Sequence, residues 1–137
     1  MKLIDKLAHP LFLAQLSTCL FLAILFIQSG LDKIVDWKGN LGWLQDHFSK
    51  SPFQGIVPQL LGVITLLEIS SGVISGLGAG ALMVSGRSCF AVLGLSLSAL
   101  SLLSLFFGQR MAKDYAGAAT LVPYFLVCLF GFYLFSV

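Results

Sequence analysis

Charge is what this sequence most lacks. Asp, Glu, Lys and Arg together make up only 10% of its 137 residues, against roughly 25% in soluble domains. AVILMFWYC account for 58%, and a water-soluble chain this small could not bury that much apolar surface, because small domains hide only part of their area. Cysteine is sparse too. Cys19, Cys89 and Cys128 each stand alone in an apolar segment, with no Cys-x-x-Cys pair, so a self-contained dithiol carrier is excluded and buried structural thiols are expected. The two histidines, His9 and His47, both lie outside the middle of any apolar run. Neither a haem held between helices nor a four-ligand zinc site is expected, and no metal ligand is assigned. Phosphate-cradling glycine loops and a Gly-x-Ser-x-Gly elbow are absent. The eight basic residues form no stripe, which removes the electrostatic footprint of a nucleic-acid binder.

What is present is long apolar runs. No Asp, Glu, Lys or Arg occurs in 7–31, 88–109 or 115–137, and Glu68 alone interrupts 51–86. About 20 helical residues cross a hydrocarbon core of roughly 30 Å, so four spans fit, near Leu11–Gly30, Pro58–Leu77, Cys89–Phe107 and Ala118–Phe135. Continuous runs in place of strict alternation argue against a membrane β-barrel. The fold expected is all-α: a polytopic membrane four-helix bundle formed by one domain over 1–137, surrounded by membrane lipid. Met1–Pro10 is too polar for a signal-peptide core, so the first span is expected to be retained. Between the first two spans, Leu31–Phe53 mixes charge with Trp37 and Trp43. Gly39-Asn40 and Ser51-Pro52 read as turns, with a short interfacial helix between them. That stretch reads as an anchoring loop, or in a sharper version as a lid over a cavity. Lys33, Lys38, Lys50, Arg110 and Lys113 share one side of the membrane, which the Lys/Arg rule places inside.

Glu68 is the residue to examine first. It lies about 15 Å along a helix from Pro58, near mid-membrane, where a carboxylate must be neutral, paired or hydrated. Two roles stand for it: an acid tying two helices together, and a ligand-binding or proton-handling group. Lys33 and Arg87 fall on opposite sides, and Lys33 has Asp32 and Asp36 as nearer partners, so interfacial pairing is expected for Lys33. Gly72, Gly76 and Gly80 recur every four residues beside Ser71, Ser75 and Ala79. That smooth face is expected to pack closely, and a homodimer through Gly72 and Gly76 follows from it. Ser98, Ser101 and Ser104 mark a second seam.

Ser29-Gly30-Leu31-Asp32-Lys33-Ile34, the order Pro58, Gly62, Glu68, Gly72, and Arg87 before the third span give a pattern that resembles the DoxX-like family of small four-helix bacterial membrane proteins, over nearly the whole length. Family members often show Arg-Leu early in the first helix, where this chain has Gln15-Leu16. The resemblance implies packing roles for Gly30 and Gly72 and polar positions near a cavity for Lys33, Glu68 and Arg87, with Gln15 in place of the arginine. It also implies a bacterial cytoplasmic membrane location and association with quinone-linked redox or thiol-stress complexes. The first function expected is therefore an accessory membrane subunit beside a redox protein partner. The second is a quinone-linked oxidoreductase component, with Glu68 exchanging a proton and Lys33 or Arg87 steering an anionic group. The third is a binding or transport protein for a small molecule or lipid. No catalytic residue and no intrinsic cofactor are assigned, and quinone is the one cofactor the resemblance suggests.

Overall fold

A computed structural model describes residues 2–137. Helix makes up 86% of it, with no strand among the described residues. A short α1 (Leu3–Leu7) precedes α2 (Pro10–Val35), and Pro10 occupies the first turn of α2, where a missing N–H costs least. Then come α3 (Trp37–His47), a single 3-10 turn at Gln54–Ile56, α4 (Val57–Val84) and α5 (Cys89–Met111). The chain ends in α6 (Tyr115–Thr120) and α7 (Val122–Ser136). Four stretches, Pro10–Val35, Gln54–Val84, Cys89–Met111 and Tyr115–Ser136, are long and apolar enough to span a membrane, which makes this a multi-pass membrane protein. Its outer surface agrees, since Ile24, Leu66, Leu103 and Tyr133 all point outward and are exposed.

The four spans run antiparallel in sequence and close into a ring. α4 packs along both α2 and α5, while α7 closes the other side against the same two helices. Without a hydrophobic drive between helices in lipid, small residues have to let backbones approach. At Gly72 an added Cβ would lie 2.7 Å from the Ile27 backbone nitrogen, and at Gly78 it would lie 2.7 Å from that of Ala91. Ser71 and Ser101 face each other across α4 and α5 with their hydroxyls 3.0 Å apart, and each also donates to a carbonyl four residues back in its own helix.

Several boundaries differ from the sequence expectation. α2 continues five residues past Gly30, and α4 continues seven past Leu77. Gly76 and Gly80 therefore stay helical, because packing against α2 and α5 outweighs glycine's weak propensity. Gly39-Asn40 is no turn. Asp36 caps α3 by accepting from the Gly39 N–H at 3.3 Å, and the Asn40 amide donates to the Asp36 carbonyl at 2.8 Å, so α3 begins at Trp37. The last span is divided at Leu121, where Pro123 cannot donate to the preceding turn. All three thiols are free, but only Cys19 and Cys128 are buried; Cys89, at the first position of α5, is exposed.

The seam expected between two copies is filled from within the chain. Gly72 meets Ile27 and Ala23, and the nearest group to Gly76 is also Ala23, so α2 of the same molecule covers both. Gly80 has nothing within 4 Å. Gly72→Leu should therefore cost at least about 1–3 kcal/mol in an unfolding titration in detergent, whereas Gly80→Leu should leave stability unchanged or raised. Equal effects would contradict this packing.

Candidate functional site

Because α2 runs on to Val35, Lys33 lies inside that helix, close to its end. α4 returns antiparallel beside it, and Gly30 buries itself against Ile69, which sets Lys33 about two residues, or about 3 Å of rise, from the level of Glu68. The ammonium spans that offset. Its Nζ lies 3.1 Å from Glu68 Oε1 and 3.2 Å from Oε2, and it donates to the Ser29 hydroxyl at 3.1 Å. The Glu68 side chain is 0% exposed and that of Lys33 18%. The expected pairing of Lys33 with Asp32 or Asp36 is thus overturned: both aspartates are exposed, and Asp36 is occupied in capping α3. An extended helix and a close glycine contact bring the long lysine side chain inward, which a helix ending at Gly30 would not have allowed.

The other expected polar positions lie elsewhere. Arg87 is exposed in the connection after α4, and the end of that helix at Val84 is about 24 Å from Glu68 by helical rise. Gln15 donates to the Leu134 carbonyl at 2.9 Å, joining α2 to α7 about 27 Å of rise from Lys33. Neither can touch the ion pair.

Beside the pair is a cavity of about 360 Å³. Among the described residues, Lys33 is the only charged one on its wall. Leu44 of α3 and Phe48 just past its end form one side, Leu60, Ile64 and Leu67 of α4 another, and Ser104, Phe107 and Gln109 of α5 a third. A larger hollow of about 410 Å³ runs along α2 past Ile24, Ile27 and Leu31. Ile24 and Leu31 are exposed there, so it is an outer groove of the kind acyl chains fill.

α3 lies over the cavity and is held by groups the sequence reading did not connect. His47 Nε2 donates to Gln109 Oε1 at 2.7 Å and lies 3.7 Å from Asp114 Oδ2. Trp43, one turn earlier, stacks on the His47 ring with centroids 4.5 Å apart. Phe48, Phe53 and Phe107 continue the aromatic contacts from α3 to α5. Asp114 is aimed by the end of α5. Lys113 takes a left-handed conformation with φ 61°, the Asp114 N–H bonds the Gln109 carbonyl at 2.9 Å, and the Lys113 N–H bonds that of Arg110 at 3.1 Å. This is a Schellman ending, and it leaves the Asp114 carboxylate free to cap α6 through the Gly117 N–H at 2.9 Å. The signal in the sequence was positional: the end of the first span, the start of the second and the end of the third must share one side of an antiparallel bundle.

No family model, curated protein or solved structure matches this chain. Its chemistry is read from its own geometry.

Two outcomes follow. Lys33→Met leaves a buried carboxylate without its cation and should cost about 3–5 kcal/mol, whereas the double variant K33M/E68L, apolar throughout, should recover most of that loss; unfolding in detergent measures both. His47→Ala removes one hydrogen bond worth about 1 kcal/mol and should speed hydrogen exchange in α3 by roughly fivefold, leaving α4 and α5 unaffected. Uniform acceleration across the bundle would mean that α3 is no separate unit.

Proposed function

We propose that this protein binds a small, largely apolar ligand in the membrane, between α3, α4 and α5. The observation that carries the reading is the cavity of about 360 Å³ walled by aliphatic and aromatic side chains, with one cation on its surface and that cation's counter-ion fully buried behind it. Small-molecule pockets start at about 300 Å³ and are mostly apolar, with a few polar groups that fix orientation. An ionisable pair inside a membrane is costly, and apolar residues of similar volume would be neutral or more stable. Its presence beside a cavity therefore favours a ligand-directed role over a purely structural tie.

The resemblance to DoxX-like proteins supports a narrower setting: a bacterial cytoplasmic membrane, with this chain as an accessory subunit of a quinone-linked redox or stress-response complex. A quinone, an apolar body carrying oxygen acceptors, is one ligand of the proposed class. The Lys/Arg balance favours the cytoplasmic side for the cavity.

The test is retention. Extracted with its native lipid in polymer discs and examined by native mass spectrometry, the protein should carry a small apolar molecule at a fixed ratio. Leu60→Trp, which fills the cavity from the α4 wall, should lose that molecule while keeping its fold and bulk lipid. Equal retention by both would remove the cavity as the binding site.

A further inference from the structure

The chemistry of the pair specifies the head of that ligand, on the premise that the cavity binds one. We infer that the head is an uncharged hydrogen-bond acceptor, a ketone, ester or quinone-type oxygen, that receives the remaining N–H of Lys33.

Donor count is the first argument. An ammonium has three N–H groups. The Ser29 hydroxyl accepts one at 3.1 Å, and Glu68 faces the ammonium with both oxygens, Oε1 at 3.1 Å and Oε2 at 3.2 Å, of which only Oε2 has hydrogen-bond geometry, so one donor is left on a side chain that forms part of the cavity wall.

Charge balance is the second. Lys33 and Glu68 are of opposite sign and sum to zero, and among the described residues no other charged residue lines the cavity. Two charges on the adjoining elements are already engaged, Asp114 with Gly117 and His47, and Arg110 over the Tyr115 ring at 4.4 Å, while Lys38, Asp46 and Lys50 lie on the surface layer and not on the cavity wall. An anionic head would bring a second negative charge beside the buried Glu68 carboxylate with no second cation to offset it. A cationic head would meet the Lys33 ammonium. A neutral acceptor disturbs neither balance, gains a charge-assisted hydrogen bond and leaves its apolar body against Leu60, Ile64, Leu67 and Phe107.

The experiment uses the full chain in lipid discs and a set of probes matched in chain length: methyl nonyl ketone, undecane, undecanesulfonate and undecylamine. Each is scored by its displacement of a bromine-tipped methyl nonyl ketone that quenches Trp37 and Trp43 of α3, with concentrations expressed per mole of lipid. The ketone should displace at least about tenfold better than the alkane, as expected for a hydrogen bond to a charged donor, and at least about tenfold better than either ionic probe. In K33M/E68L, which removes the donor without stranding a buried charge, the ketone should fall to the level of the alkane. A sulfonate that matches the ketone overturns the neutral head and leaves the cavity a binding site for anions. A ketone no better than the alkane in the native protein overturns the Lys33 contact. If the bromine-tipped ketone produces no saturable quenching, ligand binding in this cavity is itself refuted, and the assignment of the head falls with it.

Discussion

Close approach of α2 to α4 is the constraint on which the site depends. Gly30 against Ile69 and Gly72 against Ile27 leave no room for a Cβ on either glycine. The two backbones are thereby held near enough for a lysine close to the end of one helix to reach a carboxylate well inside the other. Larger residues at these positions would move the helices apart, and the ammonium would turn toward the interface, the natural course for a long side chain at a helix end. In lipid such contacts are favoured by packing alone. The apolar glycine seam thus decides where the charge sits.

Much of this architecture was legible because its cause is local. Charge-free runs of about 20 residues can only be spans in a chain of this composition, and Glu68 stood out as the sole charge between Lys50 and Arg87. Four things were hidden, each for a physical reason. Whether helix one ended at Gly30 depended on what packed against that glycine, and with it the partner of Lys33. Gly39-Asn40 reads as a turn unless Asp36 is known to cap the helix that contains it. The use of Gly72 and Gly76 within the molecule, rather than between copies, is a property of α2's face, which no spacing within α4 reveals. His47, Gln109 and Asp114 are ordinary interfacial residues taken singly, and they become a unit only when α3 folds back across the end of α5.

The two ends of the bundle are built differently. At the end holding Arg87, the link from α4 to α5 is a short exposed turn through Gly86, which has positive φ. At the other end α3, the 3-10 turn and α6 add a layer of polar and aromatic contacts across the ends of three spans. Core contacts such as Leu22, Phe26 and Leu95 around Cys128 do not involve that layer. Local opening follows from few buried apolar contacts and accessible polar ones, and α3 has no fully buried residue of its own. Its attachment rests on Phe48 just past its end, the His47 hydrogen bond and the ring contacts that run from Phe48 through Phe53 to Phe107. The cover over the cavity is therefore the least tightly held part of the chain around the site, while the ion pair beneath it is among the most constrained.

That division bears on how a ligand could be exchanged without unfolding the bundle. The ion pair cannot open readily, since separating it leaves a charge uncompensated in a dry interior, at a cost of several kcal/mol. Releasing α3 requires a hydrogen bond of about 1 kcal/mol, the burial of Phe48 at about 1.5–3 kcal/mol and aromatic contacts of about 0.5–1.5 kcal/mol each, with the polar groups of His47 and Gln109 regaining partners in the headgroup region. For the proposed ligand, access would then be governed by the layer at the membrane surface and selectivity by the pair beneath it. Because the two draw on separate residues, the cover can move on its own while Lys33 keeps its position against Glu68.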